Sequence, residues 1–514
     1  MNLYPWQEDC IRHWWSNQGR GIVQAITGSG KTRLALASIH HLKKQLNTPL
    51  KVKIVVPTGN LMYQWKNALK DFLTLEAGAD NLGSIGLWGN GHKSSGDYPY
   101  MIYVINSARY QLAREILSDL KEGYGVFLIA DECHHYTSSQ NSLIFEFLPY
   151  IEEYSGFFYS LGLTATLPVG HEKQLLVSSL GKVIYHYTLR DASNSNTICP
   201  YDIFHITLSF DSRELWEYEE LSDKITFLYR RLLSHASYLK HMGRSEQFKA
   251  IGELTGSHIS SIARMASSYL NLSYKRKSLI CLANSRITCA LNLIRLLSNQ
   301  SRTIIFSERI QQAEELYQAL EAEFPGQIGR YHSQLGSLAN QNNLQRFKDG
   351  EYRILISCKA LDEGLDVPDA SVGIILSGTS MERQRIQRLG RIIRKKTGKE
   401  RALLYYLHIV QSNEDQTYLP FGDHRILELG YDSFCNVFTN PSYDKAVEKL
   451  LDDLNQKAVD QRILNEYSRC IRLGRVRSDW LNSPSVLQTE IENAKGTAER
   501  NYFICMKNLH SFLD

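Results

Sequence analysis

The 514-residue chain has no C-x-x-C pair, and its nine cysteines are scattered from Cys10 to Cys505. An odd, dispersed set speaks against a disulfide framework and a zinc ribbon, and it fits a reducing compartment. No run of 18 apolar residues occurs, so no membrane span is expected. Met1-Asn2-Leu3-Tyr4-Pro5-Trp6-Gln7 lacks the basic-then-apolar order of a secretory leader, so a cytoplasmic protein is expected. Charge excess is small: 58 Lys and Arg stand against 54 Asp and Glu, for a formal +4. That balance permits a polyanionic partner without demanding one. Repeats and low-complexity tracts are missing too. What remains is an ordinary packed composition, 43% hydrophobic and 22% charged, over a length that suits three or four folding units.

Short apolar runs alternate with helix-like stretches from Gly21 onward: Gly21–Ile26, Val52–Pro57, Met101–Ile105, Gly125–Asp131 and Gly156–Thr164. That β-α-β rhythm implies a parallel sheet covered on both faces. It returns at Thr303–Ser307, Gly329–His332, Arg353–Ser357 and Val372–Ser377, so two α/β domains are expected. Between them, Leu221, Ile225, Leu228 and Leu232 recur at helical spacing, as do Val447, Leu450, Leu451 and Leu454 in the tail. The expected divisions are a first lobe over 1–205, a helical insertion over 206–300, a second lobe over 301–440 and a helical extension over 441–514.

Ala25-Ile26-Thr27-Gly28-Ser29-Gly30-Lys31-Thr32 follows a strand and opens a helix, the context a P-loop requires. Glycines let backbone amides converge on phosphate oxygens, Lys31 neutralises the β- and γ-phosphates, and the Thr32 hydroxyl takes a magnesium position. Ala25 stands where the full pattern has Gly. A second strand ends in Asp131-Glu132-Cys133-His134, placing two carboxylates at the end where open α/β sheets bind ligands. Successive strand residues face opposite ways, so Asp131 can hold magnesium while Glu132 orients a hydrolytic water. His40-His41 has no partnered ligand pattern, and no zinc cluster or nuclease constellation is expected.

These motifs resemble the superfamily 2 helicases, closest in style to the DEAH-type DNA translocases that include the TFIIH translocase subunit and type III restriction subunits. The resemblance runs from Tyr4 to Arg394. Tyr4-Pro5-Trp6-Gln7 is similar to the adenine-reading motif and assigns Gln7 to the base. Val56-Pro57-Thr58 matches the first strand-contacting motif, and Thr164-Ala165-Thr166 the motif that couples the lobes, with His134 joining it. Thr303–Ser307 matches the opening of the second lobe. Ser357 to Pro368 resembles motif V, which assigns Gly364 and Asp366 to the nucleotide and Ser357 to the strand. Gln387-Arg388-Leu389-Gly390-Arg391-Ile392-Ile393-Arg394 matches motif VI residue for residue. It places Arg391 and Arg394 as arginine fingers and Gln387 near the γ-phosphate. Cys133 replaces the commoner Ala of the D-E-A-H box.

The resemblance implies two RecA-like lobes, ATP and Mg2+ as cofactors, and nucleic-acid-stimulated hydrolysis driving movement on DNA, 3′ to 5′, in repair, restriction or phage defence. Residues 391 and 394, three apart, would share a helix face. Hydroxyls and backbone amides are the expected grip on phosphates, so Thr58, Ser307 and Ser357 are the candidate strand contacts, with Pro57 joined to them by its motif. The insertion interleaves Arg230, Arg231, Lys240, Arg244, Lys249 and Arg264 with Tyr229, Tyr238 and Phe248, either as a thumb on duplex or as a basic helix exterior. His332 is open between a strand contact and packing. An RNA helicase and a partner-activated subunit of a larger complex stay open as alternatives.

Overall fold

The structure is a computed structural model describing residues 3–77, 84–297, 301–358, 370–377, 388–395, 399, 401–410, 412, 426–430, 449, 452–457, 459, 461, 463–465 and 484–513. Apolar runs form eight strands in the first lobe: β1 (Arg20–Ala25), β2 (Leu50–Val56), β3 (Ile85–Gly89), β4 (His92–Lys93), β5 (Tyr100–Val104), β6 (Gly125–Asp131), β7 (Phe158–Thr164) and β8 (Val183–Tyr187). They are ordered β4-β3-β5-β2-β6-β7-β1-β8. Every pairing is parallel except β3 with β4. Strands β6 and β7 are buried at every residue, as a sheet with helices on both faces requires.

The second sheet contains β9 (Tyr201–Leu208), β10 (Thr303–Ser307), β11 (Ile328–Tyr331), β12 (Ile354–Cys358), β13 (Val372–Ile375), β14 (Ala402–Ile409) and β15 (Ile426–Gly430), ordered β11-β12-β10-β13-β14-β9-β15. The expected boundary at 205 therefore falls inside a strand of the second lobe. Strand β9 pairs with β14 in unbroken register, from Tyr201 opposite Ala402 to Leu208 opposite Ile409. Such a long-range pairing leaves no local trace beyond the apolar alternation of the strand itself.

The helical region is consequently an insertion within the second lobe, between β9 and β10. Its first helix, Ser212–His235, starts at a capping box in which Asp211 accepts from the Glu214 amide (2.9 Å) and Glu214 from the Asp211 amide (3.0 Å). The insertion has two halves. Leu215, Tyr218, Ile280, Cys289 and Leu293 belong to the second lobe's core, whereas Leu232, Leu239, Ile251, Ile262 and Ala266 form a separate small core at the far end. Ser260–Leu296 is long and apolar enough to cross a membrane. It is two helices meeting at Ala283, with half of its most apolar stretch buried inside the protein.

Helices Pro484–Glu492 and Thr497–Leu513 close the chain. They pack Leu487, Tyr502 and Met506 on the second core, and Arg213 bridges Glu490 (2.5 Å) and Glu499 (2.6 Å). Leu454 is buried in that core as well. Val447, Leu450 and Leu451 lie outside the described residues.

Candidate active site

The strand order β2-β6-β7-β1 brings four chain segments together at the C-terminal ends of neighbouring strands: Pro57-Thr58 after β2, Asp131-Glu132 at β6, Thr164 at β7 and the P-loop after β1. Gly28 and Gly30 both take left-handed φ, +88° and +96°, a conformation L side chains rarely adopt. Gly28 also needs its missing side chain, because a Cβ there would lie 2.8 Å from the Gly390 carbonyl oxygen of the second lobe. Ser29 donates to the Ile26 carbonyl (2.8 Å) and Lys31 Nζ to the Ala25 carbonyl (3.0 Å).

Lys31 Nζ also lies 4.0 Å from Glu132 Oε1. The Glu132 backbone is left-handed, with φ +47°, a strained state for a non-glycine residue that costs about 1–3 kcal/mol. The strain directs its carboxylate between Lys31 and His134, whose Nδ1 is 3.5 Å from Oε2. His134 Nδ1 sits 2.9 Å from Thr164 Oγ1, and that hydroxyl donates to the Thr166 carbonyl (2.7 Å) while accepting from the Thr166 amide (3.2 Å). With the hydroxyl's hydrogen so used, the network assigns the His134 proton to Nδ1. His134, Thr164 and Thr166 are thus one unit beside Glu132.

Asp131 is buried, and its carboxyl is pushed up to about 6, first by burial and then by the Glu132 charge. Lys31 opposes the rise, as does a hydrogen bond from Trp65. Trp65 belongs to none of the motifs. Its signal in the sequence is that a Trp on a buried helix face needs an acceptor for its N–H; here Nε1 donates to Asp131 Oδ2 at 2.8 Å.

The residues fit a magnesium nucleotide. Thr32 and Asp131 are hard oxygen donors at the mouth of the P-loop, Thr27 Oγ1 is buried there without a hydrogen-bond partner, and Gly28 and Gly30 supply the left-handed turns that let the loop's amides converge on phosphate. Gln7, expected on the base, is fully buried and braces the P-loop: Nε2 donates to the Gly30 carbonyl (3.0 Å) and Oε1 accepts from the Tyr4 amide (2.9 Å).

Across the cleft, motif VI presses on the P-loop, with the Arg394 side chain 3.1 Å from where a Gly28 Cβ would be. The expectation that Arg391 and Arg394 share a helix face is corrected. The helix is described only from 388 to 392, and Arg394 is extended, bridging antiparallel to Ile198 in the connection between the lobes. Cys199 N donates to the Ile393 carbonyl (2.8 Å) beside it, so pairing with the connection overrides the helical continuation.

Ser307 is a second correction. It is fully buried, its hydroxyl donating to the Arg309 carbonyl (2.9 Å) and lying 3.0 Å from Gln312 Oε1, so it presents nothing to a strand. Ser357 is likewise interior in β12, its hydroxyl buried without a hydrogen-bond partner. Pro57 and Thr58 are half-buried at the cleft, where Thr58 Oγ1 caps the next helix by accepting from Leu61 N (3.4 Å). His332 is packed, with Nε2 2.6 Å from Glu314 and its backbone paired with Asn340. Arg388 is buried on Glu308 (2.6 Å), and Lys399 donates to the Ala370 carbonyl (2.7 Å). Gly364, Asp366 and Gln387 lie outside the described residues.

Two parallel-sheet lobes with a P-loop in one and Arg394 reaching it from the other define the tandem RecA-like motor fold. Residues 1–169 match the family "Type III restriction enzyme, res subunit", and residues 285–396 match "Helicase conserved C-terminal domain". The chain belongs to the superfamily 2 helicases, in the group of the XPB-type translocases and type III restriction subunits. A "DNA 3'-5' translocase XPB2" of Sulfurisphaera tokodaii is 27% identical over 398 residues, 77% of this chain and 79% of that protein. Among solved structures, the Pyrococcus furiosus Hef helicase domain superposes with a TM-score of 0.51 at 15% identity, covering 80% of this chain and 96% of that one. The type ISP restriction-modification enzyme LlaBIII bound to DNA gives 0.51 at 13% identity, with 98% of this chain on 37% of that one. At such identities these two likenesses concern the fold.

Proposed function

We propose that this protein is an ATP-driven DNA translocase that moves 3′ to 5′. The observation that carries the reading is the contact between lobes at the nucleotide site, where Gly28 and Thr27 meet Gly390 and Arg394. The named activity of the Sulfurisphaera relative supports DNA and the direction.

In this reading Lys31 exchanges the Ala25 carbonyl and Glu132 for phosphate oxygens. Glu132, released from Lys31, orients the attacking water and takes its proton. Arg391 and Arg394 donate to the charge that develops on the transferred phosphoryl. Thr32 and Asp131 would hold magnesium, which when bound would add to the neutralisation of the phosphates. Because donors and P-loop sit in different lobes, turnover depends on closure, and a strand lying across both lobes promotes it. A setting in repair, restriction or phage defence belongs to the same proposal.

The test is ATP turnover with no nucleic acid, single-stranded DNA, duplex DNA, forked DNA and single-stranded RNA, at low salt because phosphate grip weakens steeply with salt. Stimulation by a DNA form is expected. Stimulation by RNA alone would refute the DNA reading, and none at all in a folded, ATP-binding protein would move the chain to a partner-activated subunit. Displacement of a blocking protein from only one end of a tailed DNA reads the direction.

The far half of the insertion supports a grip on duplex. Residues 224–277 carry ten Lys and Arg against two Glu, around their own small core. Arg230, Arg231, Lys240, Lys249 and Arg264 are exposed there, and Phe227 and Tyr238 stand out beside them. Replacing those five basic residues with Gln is expected to weaken duplex binding about 10-fold or more and to flatten its salt dependence. Excision from Asp211 is the poorer test, since the near half carries part of the second lobe's core. An unchanged salt slope would remove the thumb from the reading.

A further inference from the structure

One helix of the first lobe, Gly59–Ala77, touches three functional places. Thr58 immediately precedes it at the cleft. In its first turn, the Asn60 side chain lies close to Tyr331 at the end of β11 in the second lobe. One and a half turns further on, about 7.5 Å along the axis, Trp65 donates to Asp131 Oδ2. Met62, Trp65, Leu69, Phe72 and Leu73 are buried in one core, so the helix is seated as a rigid unit.

The hydrogen bond is sheltered on both sides. Trp65 is 1% exposed and Asp131 6%. The other carboxylate oxygen, Oδ1, accepts from the Glu132 amide at 3.1 Å, and the Asp131 carbonyl lies 2.6 Å from the Tyr136 hydroxyl. Main-chain contacts fix where Asp131 starts, and Trp65 is the side chain that sets the rotation of its carboxylate.

We propose that Trp65 is a positioning residue: its indole N–H holds the Asp131 carboxylate toward the P-loop mouth and ties it to the helix that Thr58 and Asn60 present to the cleft. A strand or a lobe movement that shifts the start of this helix is then transmitted to the group that holds magnesium. The inference rests on Asp131 being that group.

The test is the factor by which magnesium tightens binding of a fluorescent ATP analogue, measured at equilibrium without turnover. Trp65→Phe keeps a ring in the pocket and removes the donor. It is expected to shrink the magnesium factor about 10-fold, the usual scale for losing an outer partner of a metal ligand. Affinity without magnesium should stay at the wild-type value, which a loss of packing alone would not leave untouched. A benzothiophene analogue of tryptophan at position 65, which exchanges only the N–H for sulfur, should behave the same way and covers the case in which the Phe variant folds poorly.

Asp131→Asn separates the two layers of the argument. It is expected to abolish the magnesium factor, and adding Trp65→Phe should change nothing further, as residues acting through one another require. If Asp131→Asn abolishes the factor and Trp65→Phe leaves it at the wild-type value, the positioning role is overturned. If Asp131→Asn leaves the factor intact, the metal role of Asp131 is overturned and the inference with it.

Discussion

Glu132→Gln is expected to lower ATP turnover at least about 100-fold, the lower range for losing a positioned general base, while ATP binding persists. The amide matches the carboxylate in shape, so the left-handed turn at Glu132 and the packing around His134 survive. What is lost is the charge that orients the water and accepts its proton. Two contacts of the carboxylate sharpen the expectation: Lys31 at 4.0 Å and His134 at 3.5 Å. With the charge removed, Lys31 has one partner fewer competing with phosphate, so nucleotide affinity should hold or rise as turnover falls. Lys31→Ala should fail at the earlier step, losing affinity and turnover together. Steady-state turnover beside equilibrium nucleotide binding reads both, and full turnover in either variant would refute the assignment of the site.

Gly390→Ala should be nearly as damaging, although it removes no functional group. A Cβ at this position would lie 2.5 Å from the Thr27 Cβ, 2.6 Å from its carbonyl oxygen and 3.0 Å from its carbonyl carbon. Two of those three atoms are backbone of the P-loop and cannot rotate away. The lobes must separate by something on the order of 1 Å, which at a catalytic centre costs about 100-fold. Arg394→Ala removes the donor itself, and the scale for an arginine finger is about 1,000-fold or more. The distinguishing result is nucleotide affinity: the P-loop is intact in both, so ATP still binds and only turnover collapses. Retained turnover in Gly390→Ala would mean that hydrolysis does not pass through the closed contact between Gly390 and Thr27.

Much of the site is legible in the sequence because its parts are local. A P-loop is a strand, a glycine-bearing turn and a helix in succession, and both left-handed glycines lie where the spacing of Gly28, Gly30 and Lys31 puts them. Asp131 and Glu132 end a strand made visible by five apolar residues in a row. The coupling unit of His134 with Thr164 and Thr166 is legible only through the family resemblance. Ser307 misleads, since a serine at a strand end reads as surface until the neighbouring Gln312 turns its amide inward. Arg394 misleads for a different reason: residues 388–392 are helical, and only pairing with Ile198 pulls the next turn straight.

Consecutive residues are enough to dictate the two parallel-sheet lobes, the phosphate loop, the acidic strand end and the arginine-bearing motif, because strand period, glycine conformation and short-range spacing are all local properties of the chain. Long-range packing settles the rest: that β9 crosses into the second sheet, that Gln7 braces Gly30, that the P-loop meets Gly390, and that Trp65 holds Asp131 across 66 positions of chain. Each of these is a hydrogen bond or close contact between distant segments, and its partner is chosen by how the lobes pack rather than by anything in its neighbours along the chain.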